Sequence, residues 1–187
     1  MTEEIDEVQK KLIEWRDCPP KFVREVYGIK PEKWQDEVLE AFPYNNRIAV
    51  RSGHGVGKSA LMSWLLPLFI TTRTPAKVMC TAPSAHQLYD ILWAELSIWQ
   101  RKALMNFQSL TKITTDSFYL IGAQNENFAN CRTARKDQPE ALQGAHSENM
   151  MFLIDEASGI PEIIFETAEG SMSTEGAKVL MFSNPTR

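Results

Sequence analysis

Residues 51–59 read Arg-Ser-Gly-His-Gly-Val-Gly-Lys-Ser, and this stretch predicts the fold of the chain. It follows the short apolar run 48–50 and precedes the apolar run 60–70, which is the strand, loop and helix context of a phosphate-binding P-loop. Glycines let the backbone turn tightly and aim its N–H groups at anionic oxygens, and the following helix adds the positive end of its dipole. We therefore expect a nucleotide cradle made of Ser52, Gly53, His54, Gly55, Val56, Gly57, Lys58 and Ser59.

Two residues of this cradle have chemical tasks. Lys58 is expected to reach the β- and γ-phosphates, and the Ser59 hydroxyl is expected to ligate Mg²⁺. The consensus glycine five residues before Gly57 is replaced by Ser52, a small side chain that still fits. The alternative is a glycine-rich turn between a strand and a helix that carries Gly-Lys-Ser by chance.

Composition is that of an ordinary globular protein. The 187 residues are 43% hydrophobic and 24% charged, which suits one domain with a sizeable core. A net charge of −4 gives no electrostatic case for nucleic acid, so any DNA contact must come from a local patch or a partner. The three cysteines show no metal spacing and the acidic N-terminus does not resemble a leader. We expect free thiols in a soluble intracellular protein without a membrane segment.

Hydrophobic spacing predicts strands that alternate with helices. We divide the chain into an N-terminal helical segment, 1–29, and an ATPase domain, 30–187. The N-terminal segment is a candidate lid over the nucleotide, a docking surface, or simply a packed pair of helices, with Pro19-Pro20 ending the first helix. Helices are predicted at 3–16, 21–27, 30–42 with Pro31 in the first turn, 60–70, 85–103 and 162–169. Strands are predicted at 47–51, 77–82, 112–115, 118–122, 150–154 and 178–182, and 125–143 is predicted as a loop with short helical pieces.

A second acidic motif follows the apolar strand 150–154. Asp155 is expected to hold the Mg²⁺ shell and Glu156 to accept a proton from the water that attacks the γ-phosphate, the arrangement of a Walker B strand. The alternative is a strand that ends at two solvated acids.

Asn184, after the last predicted strand, is a candidate γ-phosphate sensor or water-orienting amide, or only part of a connector. We predict a P-loop NTPase with a mainly parallel sheet flanked by helices and a strand inserted between the Walker A and Walker B strands.

In combination, these motifs resemble the large terminase subunit, the ATPase that packs DNA into the prohead of tailed phages. They occur in this order over about residues 30–187: Trp34-Gln35, 52–59, Thr81-Ala-Pro-Ser84 with Gln87, 141–146, 151–157 and 182–185. The resemblance implies that Gln35 reads the adenine edge and that the Ser183-Asn184 segment couples hydrolysis to DNA movement. It further implies ATP and Mg²⁺ as cofactors, double-stranded DNA, the portal protein and the small terminase subunit as partners, a homo-oligomeric ring, and a phage or prophage protein in the host cytoplasm.

Two departures from that family bear on function. Many relatives have an arginine finger inside the P-loop where His54 stands here, and such a finger is worth ~10³–10⁵ in rate. Arg132 and Arg135 are candidates to replace it, acting on a neighbouring subunit's nucleotide; a solvated basic loop or a DNA contact is the alternative. The family also carries a C-terminal nuclease. The sequence ends at residue 187, directly after the Ser183-Asn184 segment, which leaves no room for that domain. We therefore expect a truncated piece without DNA cleavage.

Two other functions fit the same motifs. A superfamily 2 helicase-like ATPase has a similar glutamine, P-loop and Asp-Glu-Ala pattern. A non-hydrolysing module, in which ATP only gates assembly with a partner, fits the N-terminal helix and the low net charge.

Overall fold

A computed structural model of the chain describes residues 2–134, 147–171 and 176–185. Its helices are α1 (Thr2–Asp17), α2 (Pro19–Tyr27), α3 (Lys33–Ala41), α4 (Lys58–Thr72), a π-helical segment (His86–Trp93), α5 (Ala94–Lys102), α6 (Met105–Gln108), a 3₁₀ turn (Ala157–Gly159) and α7 (Glu162–Ser171). Its strands are β1 (Arg47–Arg51), β2 (Ala76–Thr81), β3 (Thr111–Ile113), β4 (Ser117–Leu120), β5 (Asn127–Cys131), β6 (Asn149–Ile154) and β7 (Lys178–Ser183).

The seven strands form one sheet in the order β1-β7-β6-β2-β5-β4-β3. The first five are parallel, and β4 and β3 add an antiparallel hairpin at one edge. β7 lies between β1, which leads into the glycine loop, and β6, which ends at the two acids. The chain therefore has the predicted P-loop NTPase fold, and the inserted strand is β7.

Helix α4 anchors the glycine loop to the core. Its side chains are apolar on every face, and most of them are buried, as expected for a helix enclosed by other elements. Pro67 lies inside the helix, where it removes one backbone hydrogen bond. Ser63 and Thr71, on either side of it, donate their hydroxyls to the carbonyls of Ser59 and Pro67, 2.8 Å away in both cases. The loop before α4 thus rests on a rigid, buried helix.

The N-terminal helices pack against this core. Phe22 of α2 is fully buried, and its ring contacts those of Trp15 and Phe107 edge to face at 5.4 and 5.5 Å. Both α1 and α2 also contact α4. Of the three interpretations of this segment, the packed helices agree with these contacts. The domain boundary at residue 29 stays a prediction.

Several predicted elements were wrong in detail. Pro19 and Pro20 begin α2 rather than only ending α1, since a proline in the first turn lacks an N–H that has no partner there anyway. Pro31 precedes the N-cap residue Glu32 instead of lying inside α3. The predicted helix 85–103 starts as a π-helix, and the stretch 125–143, predicted as a loop, contains β5. The rest of that stretch from residue 135 lies outside the described residues.

Two further features of the described residues are the character of the helices and the state of the cysteines. Within the described ranges, no helix has the length and apolar character needed to cross a membrane. Cys18, Cys80 and Cys131 are all free thiols, the last two buried.

Candidate active site

The glycine loop has a conformation that only glycine adopts easily. Gly55 and Gly57 have φ of 73° and 89°, in the left-handed region that side chains with a Cβ disfavour. A Cβ on Gly57 would also lie 2.7 Å from the side-chain nitrogen of Gln35. Gly57 is therefore favoured by its backbone conformation, and a side chain there would also displace the Gln35 amide.

Lys58 is held at the first turn of α4 with only 8% of its surface exposed. Its ammonium donates to the carbonyls of Ser52 and Gly53, at 3.1 and 2.8 Å, and to Oδ1 of Asn184, at 2.5 Å. A lysine ammonium has three N–H donors, so all three are in use. A phosphate oxygen that binds Lys58 must take the place of one of these acceptors.

Gln35 does not face the pocket in this structure. Its side chain is 4% exposed and lies behind the loop, where Nε2 donates to the carbonyl of Gly57 at 3.0 Å. Its Oε1 accepts the backbone N–H of Glu32 at 2.9 Å and so caps α3. Both ends of the amide are thus engaged by the backbone, and the adenine contact implied for Gln35 stays a prediction.

Ser52, the departure from the P-loop consensus, fits its position as expected for a small residue. Its backbone N–H donates to the carbonyl of Ser183 at 3.1 Å, which extends the pairing of β1 with β7 by one residue. Its hydroxyl is buried and has no hydrogen-bond partner among the described residues.

The two acids lie directly after β6. Asp155 is 1% exposed, and its oxygens accept the backbone N–H of Glu156 at 2.9 Å and the side-chain amide of Gln87 at 2.6 Å. Burial raises the pKa of the Asp155 carboxyl, and the hydrogen bond from Gln87 opposes that shift. Glu156 has φ of 48°, rare for a residue with a side chain, and strained backbone of this kind is typical of functional sites.

Asn184 joins the two halves of the site. Its Oδ1 accepts from Lys58, and its Nδ2 donates to Oε1 of Glu156 at 2.5 Å. Asn184 follows β7, the inserted strand, so it lies between the carboxyl ends of β1 and β6. One amide therefore contacts both the P-loop lysine and the second acid.

A pocket of about 580 Å³ opens between these groups. It is lined by residues 54–60 of the loop and α4, by Asp155 and Glu156, and by His86, Gln87, Ile91 and Glu95. The glycine loop and the two acids thus line one cavity.

The oxygen atoms of this pocket fit a magnesium ion. Magnesium prefers oxygen ligands in octahedral geometry and usually keeps several waters and phosphate oxygens. The Ser59 hydroxyl and the Asp155 carboxylate line the same pocket, and the carboxylate retains lone pairs beyond its two hydrogen bonds. In the described ranges no cluster of three or more His, Cys, Asp or Glu side chains forms an all-protein metal cage.

Of the two predicted arginines the structure describes Arg132 alone, and it does not join the pocket. Arg132 follows β5; its backbone N–H donates to the carbonyl of Cys80 at 3.0 Å, and its side chain is exposed. It is not among the residues that line the pocket. Arg135 lies outside the described residues. The proposed role of both residues on a neighbouring subunit stays a prediction.

Gln87 makes a contact that the sequence does not predict, although the residue belongs to the motif Thr81-Ala-Pro-Ser84 with Gln87. Ser84-Ala-His-Gln87 has the Ser-x-x-Gln spacing of a capping box, in which the glutamine side chain folds back onto the serine N–H. Only half of that box forms: the Ser84 hydroxyl accepts the Gln87 N–H at 3.1 Å, while the Gln87 side chain reaches Asp155. The Gln87 side chain bonds the carboxylate of Asp155, after β6, instead of the backbone N–H of Ser84. The spacing of Ser84 and Gln87 cannot reveal this contact, because it joins distant parts of the chain.

Sheet, glycine loop and paired acids together define the chain as a P-loop NTPase in fold. No family model matches the chain. A curated relative from Enterobacteria phage P7, "Probable terminase, large subunit", is 30% identical over 166 residues, 87% of this chain. The chain spans about a third of that relative, 34% of its length.

Solved structures give the same result for the fold. The ATPase domain of the large terminase of Thermus phage P74-26 matches with a TM-score of 0.61 and 21% identity, over 87% of this chain and 68% of that one. The large terminase of the thermophilic bacteriophage D6E in complex with ADP matches with a TM-score of 0.64 and 18% identity, over 83% of this chain and 39% of that one. The resemblance to the large terminase subunit and its ATPase domain is therefore confirmed.

Proposed function

We propose that this chain is the ATP-hydrolysing motor module of a viral DNA-packaging terminase, which couples ATP hydrolysis to translocation of double-stranded DNA into the prohead. The observation that carries the proposal is the contact chain from Lys58 through Asn184 to Glu156 across one pocket. The similarity to large terminase subunits supports the substrate and the process, and the ADP held by the phage D6E protein supports a nucleotide in the pocket.

The loop and α4 are proposed to bind the triphosphate. Backbone N–H groups of 53–58 and the amino end of α4 attract its negative charge, and Lys58 exchanges at least one of its present acceptors for a phosphate oxygen. Phosphoryl transfer asks mainly for positioning and charge stabilisation, which this cradle supplies. Ser59 and Asp155 would hold Mg²⁺, which, when bound, neutralises charge on the phosphates.

Glu156 is proposed to accept the proton of the attacking water. Its side chain lines the pocket, and its backbone is fixed by the left-handed turn after β6. In the present arrangement one carboxylate oxygen accepts from Asn184. If Asn184 is the acceptor that Lys58 exchanges for a phosphate oxygen, the Asn184 amide is released on one side, and nucleotide binding in the cradle is passed on to Glu156 and to β7.

A ring of subunits with the portal protein, the small terminase subunit and DNA is proposed as the working assembly in the host cytoplasm. An arginine from a neighbouring subunit, with Arg132 and Arg135 as candidates, would complete the charge stabilisation that His54 does not supply. An isolated chain is accordingly expected to hydrolyse ATP slowly.

Phosphate release tests this proposal. Release should be measurable for the chain with Mg–ATP, should rise when DNA and portal are added, and should vanish in Glu156→Gln while nucleotide binding persists. Binding without any release under all these conditions would favour the ATP-gated assembly module. Strand separation of duplex DNA coupled to hydrolysis would favour the helicase-like alternative.

A further inference from the structure

The carboxylate of Asp155 is held from two directions. Oδ1 accepts the backbone N–H of the next residue, and Oδ2 accepts a side-chain N–H from Gln87 at 2.6 Å. The first bond is local to the turn after β6. The second joins residues 68 positions apart in the chain and fixes the carboxylate against a different element.

The fold brings Gln87 to this place through the neighbouring strand. β2 pairs with β6 in parallel, with Thr81 beside Ile154, and the carbonyl of Thr81 accepts the backbone N–H of Asp155 at 2.9 Å. The chain leaves β2, turns at Pro83 and enters the π-helical segment with Gln87 in its first turn. Pro83 also packs close to the turn after Glu156, where a Cβ on Gly159 would lie 3.0 Å from it. The two loops are therefore in direct contact.

The chemistry fixes the orientation of the Gln87 amide. An ionised carboxylate only accepts hydrogen bonds, so the amide must present its NH₂ to Asp155. The Ser84 hydroxyl holds the Gln87 backbone, which leaves the side chain free to extend into the pocket that it lines. Short π-helical stretches occur often at functional sites, and this one places His86, Gln87 and Ile91 along the pocket wall.

We propose that Gln87 is a positioning residue that holds Asp155 in the orientation in which its remaining lone pairs face a nucleotide-bound magnesium ion. This inference rests on the proposed function of the same site. The Gln87 amide can orient the Asp155 carboxylate without competing with it for the metal, because the amide is uncharged and turns its N–H, not its oxygen, to the carboxylate. Loss of such an outer partner typically costs 10–100-fold in metal affinity.

The test separates metal-dependent from metal-independent nucleotide binding. Affinity for a fluorescent non-hydrolysable ATP analogue is measured in EDTA and across a Mg²⁺ titration, for wild type, Gln87→Met and Gln87→Ala. Methionine keeps the length of the side chain and removes the donor, and alanine serves as the second variant. Asp90→Asn is the matched control, since Asp90 is exposed on the same π-helical segment, does not line the pocket, and as an amide can keep its hydrogen bond with His86.

For both Gln87 variants we expect the Mg²⁺ concentration at half-saturation to rise by about 10–100-fold, with the affinity in EDTA unchanged. Asp90→Asn should behave as wild type, and thermal melting should show that all variants fold. A wild-type Mg²⁺ requirement in Gln87→Met and Gln87→Ala, or an equal loss of affinity with and without Mg²⁺, would overturn the inference. Failure of the proposed function is seen separately, as a wild-type chain that binds no nucleotide.

Discussion

Two buried lysines at opposite ends of the sheet show how similar surroundings serve different purposes. Lys58 and Lys178 are 8% and 5% exposed, and each donates to several backbone carbonyls. Lys58 lies at the carboxyl end of the sheet, beside a pocket with two acids. Lys178 lies at the other end, where its ammonium donates to Phe42 and Asn45 at 2.8 and 3.0 Å and sits 5.0 Å from the Phe42 ring.

The difference lies in what could replace the acceptors. The partners of Lys58 border an open cavity, so a phosphate oxygen can displace one of them. The partners of Lys178 are carbonyls around the carboxyl end of α3, where a cation is favourable but no cavity adjoins it among the pockets described. Burial and the nearby Arg73 lower the pKa of Lys178 to about 8. A buried lysine is therefore functional here only where its hydrogen bonds are exchangeable.

The largest expected effect is from Lys58→Ala. It removes charge-assisted bonds of about 1.5–3 kcal/mol to the phosphates and transition-state stabilisation of about 10²–10³ in rate. The two add to a loss of about 10³–10⁵ in kcat/KM, measured by steady-state phosphate release. Lys178→Met is the matched control and should retain wild-type kcat/KM; an equal loss in both variants would end the distinction between the two lysines.

Glu156→Gln is expected to lower turnover by about 10²–10⁴-fold, the usual contribution of a general base. ATP affinity should persist, because the variant leaves the cradle and Lys58 intact. Single-turnover hydrolysis and equilibrium binding measure the two quantities, and Glu162→Gln, an exposed acid on α7, is the control. Hydrolysis at the wild-type rate would remove Glu156 from the role of base.

Lys178→Met is expected to change how stability depends on pH. The folded chain releases the Lys178 proton near pH 8, whereas the unfolded chain holds it to about 10.5, so the unfolded state binds more protons between these values. The contribution of Lys178 to the free energy of unfolding therefore rises with pH across that window. Denaturant unfolding at several pH values should show that, from pH 8 upward, the free energy of unfolding of wild type increases relative to that of the variant. A constant difference would mean that the folded lysine titrates normally.

The smallest expected effect is from Gln35→Ala. If the glutamine reads the adenine edge, its loss should reduce the preference for ATP over GTP by about 1–3 kcal/mol. Competition binding with the two nucleotides measures this, with Glu37→Ala, exposed on the same helix, as control. A lower melting temperature with an unchanged preference would limit Gln35 to its observed bonds with Gly57 and Glu32.

Motifs point to candidate chemical residues because they encode local geometry. The glycine loop, Lys58 and the two acids each follow an apolar strand, and parallel strands bring their carboxyl ends to one edge. An inserted strand was expected from the number of residues between Lys58 and Asp155, whereas the strand that lies between β1 and β6 is β7, which follows both motifs in the chain. What brings Asn184 between Lys58 and Glu156 is the strand order, which no local pattern contains.

Two elements were missed for identifiable reasons. The buried face of β5 is not wholly apolar, because Asn127 belongs to it and donates its amide to the carbonyls of Ile70 and Arg73 at the end of α4. The π-helical segment was hidden because the buried stripe Leu88, Leu92, Leu96 and Trp99 suits an α-helix equally well. A tertiary hydrogen bond explains the first case, and in the second the apolar spacing does not separate the two helix types.

A crystal structure of the chain with Mg²⁺ and a non-hydrolysable ATP analogue is the most direct test of the hydrolysis site. The account predicts the triphosphate between Lys58 and the two acids, the metal between Ser59 and Asp155, and a phosphate oxygen in place of one present acceptor of Lys58. A nucleotide bound elsewhere, or acids turned away from it, would contradict the account.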